Sequence, residues 1–171
     1  MRSDAPEPLK LIALDQEDLK ILSAHLQDAV LRMSDMCYRP SEQRFAAILS
    51  RFDWLSAEEG TGGDQSNLRR CKCVLRFDRV RRAQIHKVRP GQPFEVAELL
   101  AVTYEEVEPP SGHVTLYFAG GGAIRLEVEC IEAELSDLGT SWRTALKPAH
   151  SIVEAEASPS PVAASFFQKT E

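Results

Sequence analysis

Three observations predict an α+β fold: a bent antiparallel sheet or partly closed β-barrel, with an N-terminal helix and a C-terminal capping helix. The first is a hairpin. Val114, Leu116 and Phe118 alternate with His113, Thr115 and Tyr117; after Gly120, Gly121 and Gly122, Ile124, Leu126 and Val128 alternate with Arg125, Glu127 and Glu129. A period of two sends one apolar face to a core and one polar face to solvent, and glycines supply the positive backbone angles of a tight turn. The second is Leu19, Leu22 and Leu26 at helical spacing behind Asp15. The third is Ile131, Leu135 and Leu138 before Gly139, which reads as a short helix closed by a glycine cap.

The remaining elements follow in order. Residues 1–8 hold two prolines and read as a loose leader, and 9–14 as a short strand. Asp15 is an N-cap with Glu17 and Asp18 placed against the helix dipole, and the helix is expected to run to about Gln27. Residues 29–38 and 44–54 pair across the Pro40-Ser41-Glu42 turn. Residues 56–67, SAEEGTGGDQSN, read as a surface loop within one domain. Residues 69–85 are one long bent strand or two short ones. Cys71, Cys73, Leu75 and Phe77 share one face; Arg70, Lys72, Val74, Arg76 and Asp78 share the other. After the Arg89–Pro93 break, 96–107 is a strand with Val96, Leu100, Val102 and Tyr104 on one face. The globular domain is expected at 9–147. Residues 148–171, rich in Ala, Ser, Pro and Glu, read as a disordered tail, with Phe166 and Phe167 as a docking element. Strands followed by a capping helix is a pattern similar to pleckstrin-homology-like barrels, from which the early helix departs.

The chain has 171 residues, a formal net charge of -6 and 43% hydrophobic residues. That length suits one domain with a sizeable core, and the acidity argues against a surface built throughout for nucleic acid or anionic membrane. No apolar run reaches the roughly 20 residues that span a bilayer. The first residues lack the apolar stretch of a secretory signal. Four cysteines are too sparse for a disulfide framework. Cytoplasmic localisation with reduced thiols is the expectation.

The feature with most chemical content is basic: Arg69, Arg70, Lys72, Arg76, Arg79, Arg81, Arg82, Lys87 and Arg89, opposed within the stretch only by Asp78. Segregated charge of this kind suits phosphate, an acidic protein or RNA. Arg70, Lys72, Arg76, Arg79 and Arg82 are the candidate ligand-binding residues. The competing reading is a solvated strand whose arginines pair across the sheet with Glu98, Glu106, Glu127 and Glu129.

Other constellations read as structural. Cys71 and Cys73 share a strand face as two core residues do, and a zinc site would need His86 and Cys130 at non-zinc spacing. The glycines at 120–122 lie between strands, with no lysine and hydroxyl following as a phosphate loop requires. His25, His86, His113 and His150 are scattered and meet no nucleophile elbow. Glu127 and Glu129 belong to a polar strand face, and Glu132 and Glu134 to the first turn of the expected last helix. No catalytic residue, metal site or cofactor is predicted.

LIALDQEDLKILSAHLQDAVLRMSDMCYRPSEQRFAAILSRFDW and VTLYFAGGGAIRLEVECIEAELSDLG, with LRFDRV at 75–80 between them, resemble a family of small alphaproteobacterial proteins catalogued as a domain of unknown function, number 2948. The resemblance covers roughly 9–147. It implies a cytoplasmic bacterial protein and carries no assigned reaction, cofactor, partner or site residue. The expected function is a non-catalytic binding module that holds a protein partner or anionic ligand on a sheet surface. The alternatives are RNA binding through 69–89, and an enzyme that clamps an anionic small molecule with arginines. A homo-oligomer through an open sheet edge is a further possibility.

Overall fold

The computed structural model describes residues 7–55 and 68–144. These form β1 (Lys10–Ala13), α1 (Gln16–Leu26), β2 (Ala29–Arg32), β3 (Met36–Arg39), β4 (Arg44–Phe52), β5 (Arg69–Phe77), β6 (Val80–His86), β7 (Val96–Glu108), β8 (Ser111–Phe118), β9 (Ala123–Val128) and β10 (Ala133–Arg143). The ten strands make one sheet in the order β1-β10-β5-β4-β2-β7-β8-β9-β6, with β3 also paired to β4. Every pairing is antiparallel. The sheet is therefore strongly sheet-rich and open, with β1 and β6 at its ends.

Local chemistry accounts for most boundaries. The Asp15 side chain accepts a hydrogen bond from the Asp18 backbone N–H at 2.8 Å, satisfying one of the orphan donors of the first helical turn. Leu19, Leu22 and Leu26 are buried and Ile21 is exposed, as an amphipathic stripe demands. The helix also covers backbone left over by a short strand: β2 begins only at Ala29, opposite Leu99, and the Ser23 hydroxyl oxygen accepts from the Val102 N–H at 2.9 Å. The expected strand over 29–38 is split by a 3-10 turn at Met33–Asp35, and both halves lie along the same edge of β4. Gly120 and Gly121, with φ of 86° and 88°, make the turn between β8 and β9.

The core lies on one side of the sheet. Phe45 and Phe77 face each other in register and are fully buried. Leu49, Leu75, Leu116, Ile124 and Leu135 pack into the same cluster. Cys71 and Cys73 point inward beside Leu75 and Phe77, 4% and 0% exposed.

Three expectations are corrected. Residues 131–138 form no helix: they lead into β10, which lies between β1 and β5. Ile131, Ala133 and Leu135 are buried while Leu138 is half exposed, so the period is two. The helical stripe misled because Ile131 and Leu135 satisfy both periods. Gly139, with φ 80°, sits in the register shift between Asp137 and Ser141 rather than capping a helix. The described order, one helix ahead of most strands, also differs from the strands-then-helix pattern of pleckstrin-homology-like barrels. Second, β7 turns Leu99 and Val102 inward and leaves Val96 and Leu100 exposed. A bulge between Leu99 and Ala101 resets the alternation. Third, Gly122 is not a positive-φ residue. A Cβ there would lie 3.1 Å from the Lys87 carbonyl oxygen, so it is close approach that favours glycine.

The 69–85 stretch is two strands that do not pair with each other. β5 sits between β4 and β10, whereas β6 pairs with β9. The chain turns between them at Arg79, with φ 60°. The expected loop at 56–67 and the expected tail at 148–171, with Phe166 and Phe167, lie outside the described residues.

Candidate functional site

The side of the sheet away from the core carries the exposed chemistry. Register aligns its side chains into rows across the strands. One row runs Lys72, Ser50, Val30, Glu98 across β5, β4, β2 and β7. The adjacent row holds Ser136, Val74 and Ile48 on β10, β5 and β4, and in the same row exposed Arg32 on β2 stands opposite Val96 on β7. Further along the strands, Ile12, Glu134, Arg76, Ala46 and Cys37 are register neighbours across β1, β10, β5, β4 and β3. Val96 is 57% exposed and Ile48 37%, and Val30 and Val74 are half-buried. Val30, Ile48, Val74 and Val96 make an apolar patch on this face, with the exposed Arg32 standing beside Val96 and further charge at Lys72 and Glu98.

The predicted basic residues divide among three places. Arg70, Lys72 and Arg76 share the outer face of β5; Arg79 lies in the turn, and Arg82 is on β6, opposite Glu127. Part of the charge is matched internally. The Arg70 guanidinium donates to the carbonyls of Ser50 (3.2 Å) and Asp28 (3.4 Å). Arg76 ion-pairs with Asp78 at 2.9 Å and Glu134 at 3.2 Å. Arg79 meets Glu132 at 3.3 Å, Arg81 meets Glu129 at 3.4 Å, and Arg44 meets Asp78 at 2.8 Å. Exposed pairs such as these contribute little to stability, yet they offset the local positive potential. Glu132 and Glu134, expected to favour a helix dipole, serve as arginine partners. Lys72 and Arg82 remain exposed.

Sequence reasoning missed a buried ion pair at the inner end of β4. The Arg51 guanidinium donates two hydrogen bonds to the Asp137 carboxylate, at 2.8 and 2.7 Å, with side chains 4% and 6% exposed. Asp137 also accepts from the Leu9 N–H at 2.8 Å, which ties the chain ahead of β1 to β10. The signal was available: Arg51 continues the inward alternation Phe45, Ala47, Leu49, and Asp137 continues Ala133, Leu135. His25 approaches this pair from α1. Burial, and then the positive Arg51, lower its pKa below 6.5, and its Nδ1 is buried without a hydrogen-bond partner among the described residues.

Two predictions arise here. Because the folded pKa of His25 lies below the unfolded value, its neutral form costs nothing above pH 6.5. As pH falls through that value the unfolded state takes up a proton that the folded state resists, and stability drops. The urea midpoint should therefore fall between about pH 7.5 and about pH 5.5, and fall less in His25→Gln; equal slopes in the two proteins would remove His25 as the cause. The thiols should separate equally clearly. Burial pushes the Cys71 thiol up and Cys73 up to about 12, whereas Cys37 is exposed. An aromatic disulfide reagent should label Cys37 in the native protein and reach Cys71 and Cys73 only on unfolding, as peptide mapping would read.

Among the described residues, no group of three or more His, Cys, Asp or Glu is placed to hold a metal ion, and no helix is long and apolar enough to cross a membrane. No curated protein and no solved structure matches the chain. Residues 9–150, which contain every described strand and α1, match a family described as protein of unknown function (DUF2948), and the chain belongs to that family.

Proposed function

We propose that the protein is a non-catalytic binding module, working in the bacterial cytoplasm, that holds a protein partner on the outer face of β5, β4, β2 and β7. The observation that carries this reading is the patch of exposed Ile48 and Val96 with half-buried Val30 and Val74, which has the exposed Arg32 among them. Exposed apolar surface with a charged margin is the anatomy of a recognition face. Lys72, beside Arg70, gives that margin a preference for an acidic partner. The RNA alternative is weaker because Arg76, Arg79 and Arg81 each have a carboxylate partner, which leaves less charge for phosphate contacts. An arginine clamp for a small anion is weakened by the same pairing.

The test is affinity capture from native cytoplasm at near-physiological salt. Three baits are compared: the wild type, Ile48→Glu/Val74→Glu, and Arg76→Glu/Arg79→Glu/Arg82→Glu. The wild type and the arginine variant should retain the same protein and the apolar-face variant should lose it. Retention by the apolar-face variant, or failure of the wild type to retain anything, overturns the reading.

A further inference from the structure

A second stretch of the outer surface, on β6, β9, β8 and β7, is polar and set in register rows. One row reads Arg82, Glu127, His113, Glu105 across the four strands. Arg82 and Glu105, at its ends, are exposed and form no ion pair among the described residues. In the next row Arg125 donates to the Gln84 Oε1 at 2.9 and 2.7 Å and stands opposite Thr115. The third row reads His86, Ala123, Tyr117, Ala101, a ring alternating with a methyl. Two arginines and two glutamates cancel here, in a chain whose formal net charge is -6. A surface of zero formal charge has no bias towards a polyanion or a polycation.

The order within each row is self-complementary. A two-fold axis parallel to the strands, passing between β9 and β8, lays β6 of one copy over β7 of the other. The same rotation lays β9 over β8, and each residue meets the mirrored place in its own row. Arg82 then faces the partner's Glu105, and Glu127 faces the partner's His113, whose ring N–H is a donor. Arg125 faces the partner's Thr115. Tyr117 comes over the partner's Ala123 and His86 over the partner's Ala101, so large side chains meet small ones. Nowhere in the three rows does like charge lie over like charge. A two-fold contact demands this reciprocity, and near-aligned strands are a common mode of sheet-on-sheet packing.

We infer that a second copy of this chain occupies this surface, forming a two-fold dimer held by reciprocal Arg82–Glu105 pairs, with Tyr117 packed over Ala123. The inference goes beyond the partner-binding reading, since the contact uses none of Val30, Ile48, Val74 or Val96. Four strands at about 4.8 Å and three rows at about 6.8 Å give a footprint of about 400 Å². That is roughly half of the about 800 Å² per partner in a standard interface. Charge pairs on so small a surface supply specificity more than affinity, so the dimer is weak, exchanges, and loosens with salt.

Sedimentation equilibrium of the full chain tests this, from micromolar to about millimolar concentration at low and near-physiological salt. The variants are Arg82→Glu, Glu105→Arg, the double exchange Arg82→Glu/Glu105→Arg, and Thr115→Arg, which sets an arginine against the partner's Arg125. Ile48→Glu/Val74→Glu controls for the other surface. All these positions are exposed or half-buried, and circular dichroism with a thermal melt confirms that each variant folds. The wild type should show a reversible monomer–dimer equilibrium that weakens as salt is added. Each single reversal and Thr115→Arg should weaken it about ten-fold or more, and the double exchange should restore it. Ile48→Glu/Val74→Glu should leave it unchanged. A wild type that stays monomeric at low salt, or a dimer indifferent to the reversals, overturns the inference. A double exchange no better than the singles also overturns it, because reciprocal pairing is then absent. Loss of the dimer in Ile48→Glu/Val74→Glu alone overturns it too, by placing the contact on the other surface.

Discussion

Replacing Arg51 with alanine should lower the free energy of unfolding by about 3–5 kcal/mol, the range for leaving one member of a buried ion pair alone. Asp137 would keep its carboxylate in a site where it is 6% exposed, with the Leu9 N–H as its one remaining hydrogen-bond donor among those described above. The cost is uncompensated burial of charge rather than the worth of the pair itself. The double replacement Arg51→Met/Asp137→Leu should therefore cost less than the single one, since two apolar groups remove both desolvation penalties. Equilibrium urea unfolding measures both. A single-variant loss below about 1 kcal/mol would be the behaviour of a surface pair, and would show that water reaches this site.

The second large effect belongs to Phe77. It is fully buried, stands in register with Phe45 on β4 and Ala133 on β10, and ends β5 just before the turn at Arg79. Truncation to alanine should cost about 3–5 kcal/mol from lost transfer energy and the residual cavity. Phe77→Leu, which leaves a smaller void, should lose roughly half as much or less. If the alanine variant unfolded at the wild-type urea midpoint, Phe77 could not be packed among Phe45 and Ala133. Neither substitution touches the exposed apolar face, so partner retention per folded molecule should be unchanged.

The basic stretch was legible as a composition and not as a surface. Arg70, Lys72 and Arg76 had to share one side of a strand by period two, and they do. Whether they formed an open positive face depended on Glu134, more than fifty residues away, arriving on a neighbouring strand. That arrival in turn depended on residues 133–143 forming a strand. The pattern of Ile131, Leu135 and Leu138 was compatible with a helix, and only the available sheet positions between β1 and β5 resolved it. The apolar patch escaped notice for a similar reason. Val30, Ile48, Val74 and Val96 are far apart in the chain, and each alone is an ordinary strand residue.

What the sequence by itself determined was local: the Asp15-capped helix with its leucine stripe, the hairpin turned by Gly120 and Gly121, and the inward direction of Cys71, Cys73, Leu75 and Phe77. These follow from side-chain periodicity and backbone preference, which act over a few residues. Only the tertiary structure decided the strand order, the burial of Arg51 against Asp137, the neutralisation of Arg76, Arg79 and Arg81, and the apolar patch of the outer face. Those depend on which strands become neighbours. Sheet pairing is a contest among long-range partners whose hydrogen bonds are chemically alike, so register and burial select the outcome rather than any short stretch of residues.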